Sequence, residues 1–529
     1  MSANLVSVSM IRRSSYSAPW TSISDGLVVG KDILELLSSS MYVDPMCIYR
    51  EYIQNCADAI DDARESGIVA ASSPGRVDIQ VDPSQRTIKI RDNGTGIRGS
   101  DFVRRLVAFG ASHKRGCQAR GFRGVGRLAG LAYCQELVFR SRAKGEPVVH
   151  ELRWNCRELK TLLRAVGQEP HLKEVVQETV NARVIDAGKW PDHFFEVELN
   201  GVIRHRNDQL LDSGAVATYL AQVAPIPFAA DFKYAERITT ALSPPVALGE
   251  LEIQIAGLDN PVCRPHRNAF SIGTGTTDSF QEILLISVPG LDGGIAAVGW
   301  VLHHSYAGAL PAAAGIKGLR VRCGNIQVGD DRLFEELFLE PRFNSWTVGE
   351  VHVIDPRILP NGRRDHFEQN AHFQNLLAHL TPLARDLSRR CRTSSIKRNR
   401  SREFMRLIEI TRDNLAIIRQ GSLGKTERGR ILREVQAGIA DLEKRLSTGL
   451  IECDGEGHAQ RDIASLKREL TKLSAAASSG SSLSRLPRHQ RRAYEHVFSL
   501  IYECAQNKSA AKVLVDRILA RLPVGQKGK

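Results

Sequence analysis

Three polar or glycine-rich blocks in the N-terminal quarter of the chain have residue types and spacings suited to holding a nucleotide. They are EYIQNCADA at 51–59, RDNGTGI at 91–97 and GFRGVG at 121–126. In the first, Glu51, Asn55, Asp58 and Asp62 follow at steps of four, three and four residues, which predicts one helix face with a carboxylate and a carboxamide a turn apart. Tyr49, Tyr52, Ile53, Cys56, Ile60 and Ala63 lie mostly on the other side. Alone, this is the pattern of an amphipathic surface helix. In the second block, VDIQV at 77–81 and RTIKI at 86–90 alternate like paired strands around DPSQ, and the second strand runs into Asp92, Asn93, Gly94, Thr95 and Gly96. Gly94 and Gly96 allow close approach to the backbone, and the Asp92 carboxylate can accept a hydrogen bond from an exocyclic amine. In the third, Gly121, Gly124 and Gly126 precede an apolar run, LAGLAYC, expected to be helical from Leu128. Amide groups at such a helix start face the positive end of the dipole, where phosphates bind. Together the blocks suggest a nucleotide pocket that is not a P-loop.

Their order and content resemble the GHKL ATPase superfamily, which includes heat-shock protein 90 chaperones, MutL mismatch-repair proteins, gyrase-type topoisomerases and histidine kinases. The resemblance implies ATP and Mg²⁺ as ligands and gives the residues roles. Glu51 corresponds to the general base that activates water, Asn55 to the Mg²⁺ ligand, and Asp58 to the acid that supports the helix. Asp92 corresponds to the aspartate that binds the adenine amino group, with Gly94 and Gly96 lining the base pocket. Residues from about 98 to 121 correspond to a lid, with Ser112 and Lys114 offered as nucleotide contacts and Gly121, Gly124 and Gly126 as the phosphate-facing turn. GFRG is nearer the MutL wording, and GVG nearer the chaperone wording.

Further along, GLRVRCGNIQVGDD at 318–331 reads as a strand, and VGEVHVIDPRILPNGRRDHFEQN at 348–370 as a strand, a turn and a helix start. Heat-shock protein 90 chaperones carry a similar strand followed by Leu-Pro, an Asn and an Arg-acid pair. Leu359, Pro360, Asn361, Arg364 and Asp365 sit in that register, so the resemblance implies that Arg364 reaches the γ-phosphate as an arginine finger. Gly362 and Arg363 depart from the family spelling, and Arg363 is the alternative for that role.

A length of 529 residues suits roughly three domains. The expected fold is α+β: an N-terminal Bergerat-type ATPase sandwich at 1–210, a mixed sheet covered by helices, closing with the strand FFEVELN at 194–200. An α/β middle domain is expected at 211–370, including LEIQIAG at 251–257 and EILLISVPG at 282–290, then an all-α region at 371–529. That last region holds 31 Lys or Arg against 16 Asp or Glu, a net of +15, so all the surplus positive charge of the chain lies there. Basic stretches such as SSIKRNRSREFMR at 394–406 make nucleic acid a possible partner. Apolar positions at helical spacing need partners, which predicts a homodimer through the same region.

Ten cysteines without CxxC pairs suggest neither a zinc site nor a disulfide framework. The N-terminus lacks a long apolar run and no stretch has the roughly 20 apolar residues of a membrane span, so a cytoplasmic protein without membrane contact is expected. The function expected from the resemblance is an ATP-hydrolysing conformational clamp like the heat-shock protein 90 chaperones, acting on a client or partner protein. A MutL- or MORC-like nucleic-acid clamp is the alternative.

Overall fold

The computed structural model describes residues 44–108, 126–165, 171–205, 207–272, 276–448, 456–475, 483–484 and 486–522. Packing divides the chain into two units, Met1–Ala217 with Leu251–Pro261, and Thr218–Glu250 with Val262–Lys529.

The first unit contains α1 (Cys47–Glu65), β1 (Gly75–Asp82), β2 (Thr87–Asp92), α2 (Gly99–Val107), β3 (Glu136–Arg142), β4 (Val148–Asn155), α3 (Cys156–Arg164), α4 (Leu172–Thr179), β5 (Val180–Asp186) and β6 (Phe194–Asn200). The division falls within α5 (Ser213–Val223); after α6 (Ala235–Leu242) in the second unit, the chain returns to the first with β7 (Leu251–Ile255). The seven strands form one sheet in the order β5-β4-β3-β6-β2-β1-β7. β7 runs parallel to β1, and every other neighbouring pair is antiparallel. Residues 251–257, expected in the middle domain, thus belong to the first sheet through their pairing with β1. Alternation cannot tell which sheet a strand joins, since it reports only which side is buried.

The expected β1–β2 hairpin forms, with Val77, Ile79, Ile88 and Ile90 buried. Its turn is held by Asp82, whose carboxylate accepts from the backbone N–H groups of Ser84 (2.8 Å) and Gln85 (3.0 Å). The alternate residues carry a charge ladder across the strands, including Arg140–Glu196 at 2.9 Å and Lys89–Glu198 at 3.6 Å.

In the second unit, β8 (Ala269–Ile272) and β9 (Thr276–Ser279) form a hairpin. β10 (Glu282–Pro289), β11 (Ile295–His303), β12 (Gly318–Cys323), β13 (Ile326–Val328) and β14 (Val348–Val353) form a sheet ordered β10-β11-β14-β12-β13. The stretch at 318–331 is thus a β12–β13 hairpin rather than one strand, turning at Gly324 and Asn325, both with positive φ. β14 is buried along its whole length and includes Glu350, which pairs with Arg264 (2.5 Å) and Arg322 (2.8 Å). These buried guanidiniums also donate to the carbonyls of Gln222, Ala224 and Ile226, so each charge is met by acceptors as well as by its counter-ion.

α7 (Ala371–Gln420) belongs to two cores. Its first half buries Phe373, Leu376, Leu380, Ala384 and Leu387 against the sheet. Its second half buries Phe404, Ile408, Leu415 and Ile418 against α8 (Lys425–Ser447), α9 (Glu456–Ala475), α10 (Arg488–Cys504) and α11 (Lys508–Leu519). The apolar positions read as needing an outside partner therefore largely cover one another. Much of the basic charge is also spent locally, as in Arg445 with Asp441 (2.9 Å) and Glu403 (2.9 Å), Arg491 with Glu495 (2.9 Å) and Lys512 with Asp516 (2.8 Å). Among the described residues, no helix is long and apolar enough to cross a membrane.

Candidate nucleotide site

α1 is buried almost all round. Tyr49, Tyr52, Ile53, Cys56, Ile60 and Ala63 are in the core as expected, but Glu51 (7% exposed) and Asp58 (3%) are buried too, Asn55 is half-buried, and only Asp62 of the polar set is exposed. A solvated polar face is thereby excluded for the first turns. Glu51 Oε1 lies 3.6 Å from Arg50 Nη2 and has no hydrogen-bond partner among the described residues. On the other side, a Cβ added at Gly126 would come within 2.4 Å of Glu51 Oε2, so the third block lies against this carboxylate and a side chain at 126 would push it aside.

The second block is clamped to the same helix. Thr95 N–H donates to the Ala59 carbonyl (3.2 Å), His193 Nδ1–H donates to the Gly94 carbonyl (2.8 Å), and Ile97 N–H donates to Ser141 Oγ (2.7 Å). A Cβ at Gly94 would lie 2.7 Å from Ala59 Cβ, and Gly96, at φ +66°, would bring one within 2.1 Å of the Arg142 carbonyl. These two glycines are required by the protein's own close packing. Asp92 ends β2 fully inside, accepting from Gly94 N–H (2.8 Å) and the Cys56 thiol. Burial pushes its carboxyl up to about 7, against the pull of those donors, and burial beside Asp92 holds the Cys56 thiol well above its ordinary value.

In the third block, Gly126–Ala132 forms a seven-residue 3-10 turn, shorter than the helix expected from Leu128. Tyr52 explains its position, since Gly130 N–H donates to the Tyr52 hydroxyl (3.0 Å) and a Cβ at Gly130 would meet that oxygen at 2.5 Å. The segment read as a lid begins with α2, whose Phe102 and Leu106 are buried. Arg127 donates to the Ala108 carbonyl just past α2, and burial, then Arg105, lowers its guanidinium to about 10. Ser112, Lys114, Gly121 and Gly124 lie outside the described residues.

Arg364 belongs to the second unit, in the loop between β14 and α7. Pro360 bridges Phe367, Asn361 N–H donates to the His366 carbonyl (2.8 Å), and Arg364 N–H donates to the Asn361 carbonyl (3.1 Å). Arg364 is buried with φ +55°, a left-handed backbone, while Arg363 is exposed. A non-glycine residue held there costs about 1–2 kcal/mol and is found where surrounding structure demands it.

Residues 48–180 match the family described as histidine kinase-, DNA gyrase B- and HSP90-like ATPases. The chain carries a GHKL ATPase domain. Glu51, Asn55, Asp58, Asp92, Gly94, Gly96 and Gly126 fall within the matched stretch, and Arg364 outside it. The chain is similar to the chaperone protein HtpG of Polaromonas naphthalenivorans (strain CJ2), 26% identical over 188 residues, which are 30% of this chain and 30% of that protein. HtpG of Anaplasma marginale (strain St. Maries) is 30% identical over 143 residues, 24% of this chain and 22% of that protein. The likeness therefore spans less than a third of the length of these curated relatives. The residues of the GHKL domain suit a magnesium nucleotide. Glu51 Oε1 is a buried oxygen with no donor among the described residues, and Asp92 is a buried carboxyl poised between its two protonation states. The half-buried Asn55 one turn from Glu51 offers a neutral oxygen of the kind that supplements phosphate ligands around Mg²⁺.

Proposed function

We propose that this chain hydrolyses ATP and uses the cycle to drive conformational change in a clamp resembling heat-shock protein 90 chaperones. The observation that carries the reading is the buried Glu51 carboxylate, whose Oε1 has no hydrogen-bond donor among the described residues and whose Oε2 lies against Gly126, on the helix that also presents Asn55 within the matched domain. In this reading Glu51 takes the proton of the attacking water, and Asp92 accepts from the adenine amino group. Asp58 supports the helix, while Ser112, Lys114 and the Gly121–Gly126 turn contact the phosphates. Asn55 would hold Mg²⁺, which supplies charge neutralisation at the phosphates. Closure of the lid, residues from about 98 to 121, would exclude water. The direct test is phosphate release from ATP by the purified chain; a preparation that binds ATP and releases none reduces the protein to a scaffold.

Arg364 is assigned to the γ-phosphate, because a strained backbone retained at a charged residue is a mark of a functional position. Arg364→Gly suits the left-handed backbone and removes the guanidinium, so turnover should fall at least about a hundredfold with ATP affinity kept within a few-fold. Arg363→Ala should match the parent. The reverse pattern in a steady-state assay moves the role to Arg363.

Val497, Leu500, Val513 and Leu514 remain exposed on α10 and α11, which supports self-association there. Light scattering at micromolar concentration should give twice the chain mass of 58.5 kDa. A monomer under those conditions rules the homodimer out. A client or partner protein, met in the cytoplasm, completes the proposal.

A further inference from the structure

The helix that carries Glu51 holds a second buried oxygen without a donor. Gln54 is 2% exposed, and its Oε1, like Glu51 Oε1, makes no hydrogen bond among the described residues. The two residues are three apart on α1, which makes them neighbours on its surface. Helical side chains lean toward the N-terminus, so Gln54 covers the turn of Arg50 and Glu51. Folded proteins seldom leave a buried acceptor unmet, and two such oxygens carried three residues apart on one helix suit a donor with two hydrogens.

We infer, resting on the ATP-hydrolysis reading above, that Gln54 orients the attacking water together with Glu51. One O–H of the water points to Glu51 Oε1 and the other to Gln54 Oε1, which leaves an oxygen lone pair free to face the phosphorus. As the water oxygen bonds to the γ-phosphorus and the bond to the β-bridging oxygen breaks, one proton passes to Glu51. The other stays on the phosphate product. A carboxamide oxygen accepts without taking a proton at neutral pH, so Gln54 sets direction and Glu51 supplies basicity. Glu51 is thereby given a partner that neither periodicity nor family resemblance marks.

Gln54→Met keeps the length and burial of the side chain and removes the acceptor. In the full-length protein, a non-hydrolysable ATP analogue should bind within about twofold of the parent. The thermal midpoint without nucleotide should hold or rise, because an unmet buried acceptor has gone. The kcat should fall at least about tenfold with KM little changed. A parental kcat overturns the role, and so does a loss of analogue affinity that matches the loss of kcat. Should the methionine variant not fold, Gln54→Asn, which withdraws the carboxamide by one methylene, must show the same split, and a parental kcat there overturns the role equally. A parent that hydrolyses no ATP instead overturns the ATPase reading.

Discussion

Replacing Glu51 by alanine should leave ATP bound and slow its hydrolysis by about 10²- to 10⁴-fold, the usual contribution of a positioned general base. Binding should survive because the contacts that shape the rest of the site do not pass through this carboxylate. Asp92 is fixed by Gly94 and Cys56, and the loop after it by Ala59, His193 and Ser141. Stability should fall by about 1–3 kcal/mol, since Arg50 is buried and loses the carboxylate 3.6 Å away. Glu51→Gln, which preserves shape, separates that packing cost from the loss of the base. Calorimetric titration with ATP beside a phosphate-release assay reads both quantities, and a Glu51→Ala protein that hydrolyses ATP at the parent rate would falsify the assignment. If the prediction holds, the variant should accumulate the ATP-bound state and retain its partner in a pull-down, which identifies whether that partner is a protein.

Asp92→Asn should weaken ATP binding by about 10- to 100-fold, in line with loss of a charged hydrogen-bond acceptor, and yet stabilise the empty protein at alkaline pH. The sign follows from burial. In the unfolded chain this carboxyl ionises near 3.8, whereas the folded protein keeps its proton up to about 7. Between those values the folded state binds the extra proton, so stability falls as pH rises from about 4 to 7 and the penalty is constant above. At about 1.36 kcal/mol per unit, its ceiling is near 4 kcal/mol. The asparagine variant should therefore melt close to the parent at pH 4 and above it at pH 8. In the parent, the ionised form accepts from the adenine amine, so ATP affinity should drop by up to tenfold for each unit below pH 7. Equal melting differences at both pH values, or an affinity flat from pH 6 to 8, would remove Asp92 from this role.

Much of this site was legible because its pieces are local. The 51–62 spacing, the β1–β2 alternation and the DNG turn each depend on neighbours within a dozen residues, and α1 and the hairpin fall where they were expected. The burial of Glu51 and Asp58 was hidden, since periodicity shows that a face is polar but not what covers it. Tyr52 and Gly130 meet across 78 residues, and His193 and Gly94 across 99. Such pairings arise from strand order, which no spacing rule reports. Asp92 was readable as an acceptor, but its near-neutral carboxyl depends on complete enclosure, a property of the folded sheet.

The return of β7 to the first sheet has a consequence for biosynthesis. During translation, β1 emerges well before its parallel neighbour, and α5, α6 and their connections must be made before residues 251–255 can reach it. Until then the outer amide and carbonyl groups of β1 form an open edge, the kind of template that recruits stray strands. A nascent chain halted near residue 210 has every strand of the ATPase sheet but the one that seals it, so the nucleotide domain is completed only once the ribosome has made the first helices of the second unit.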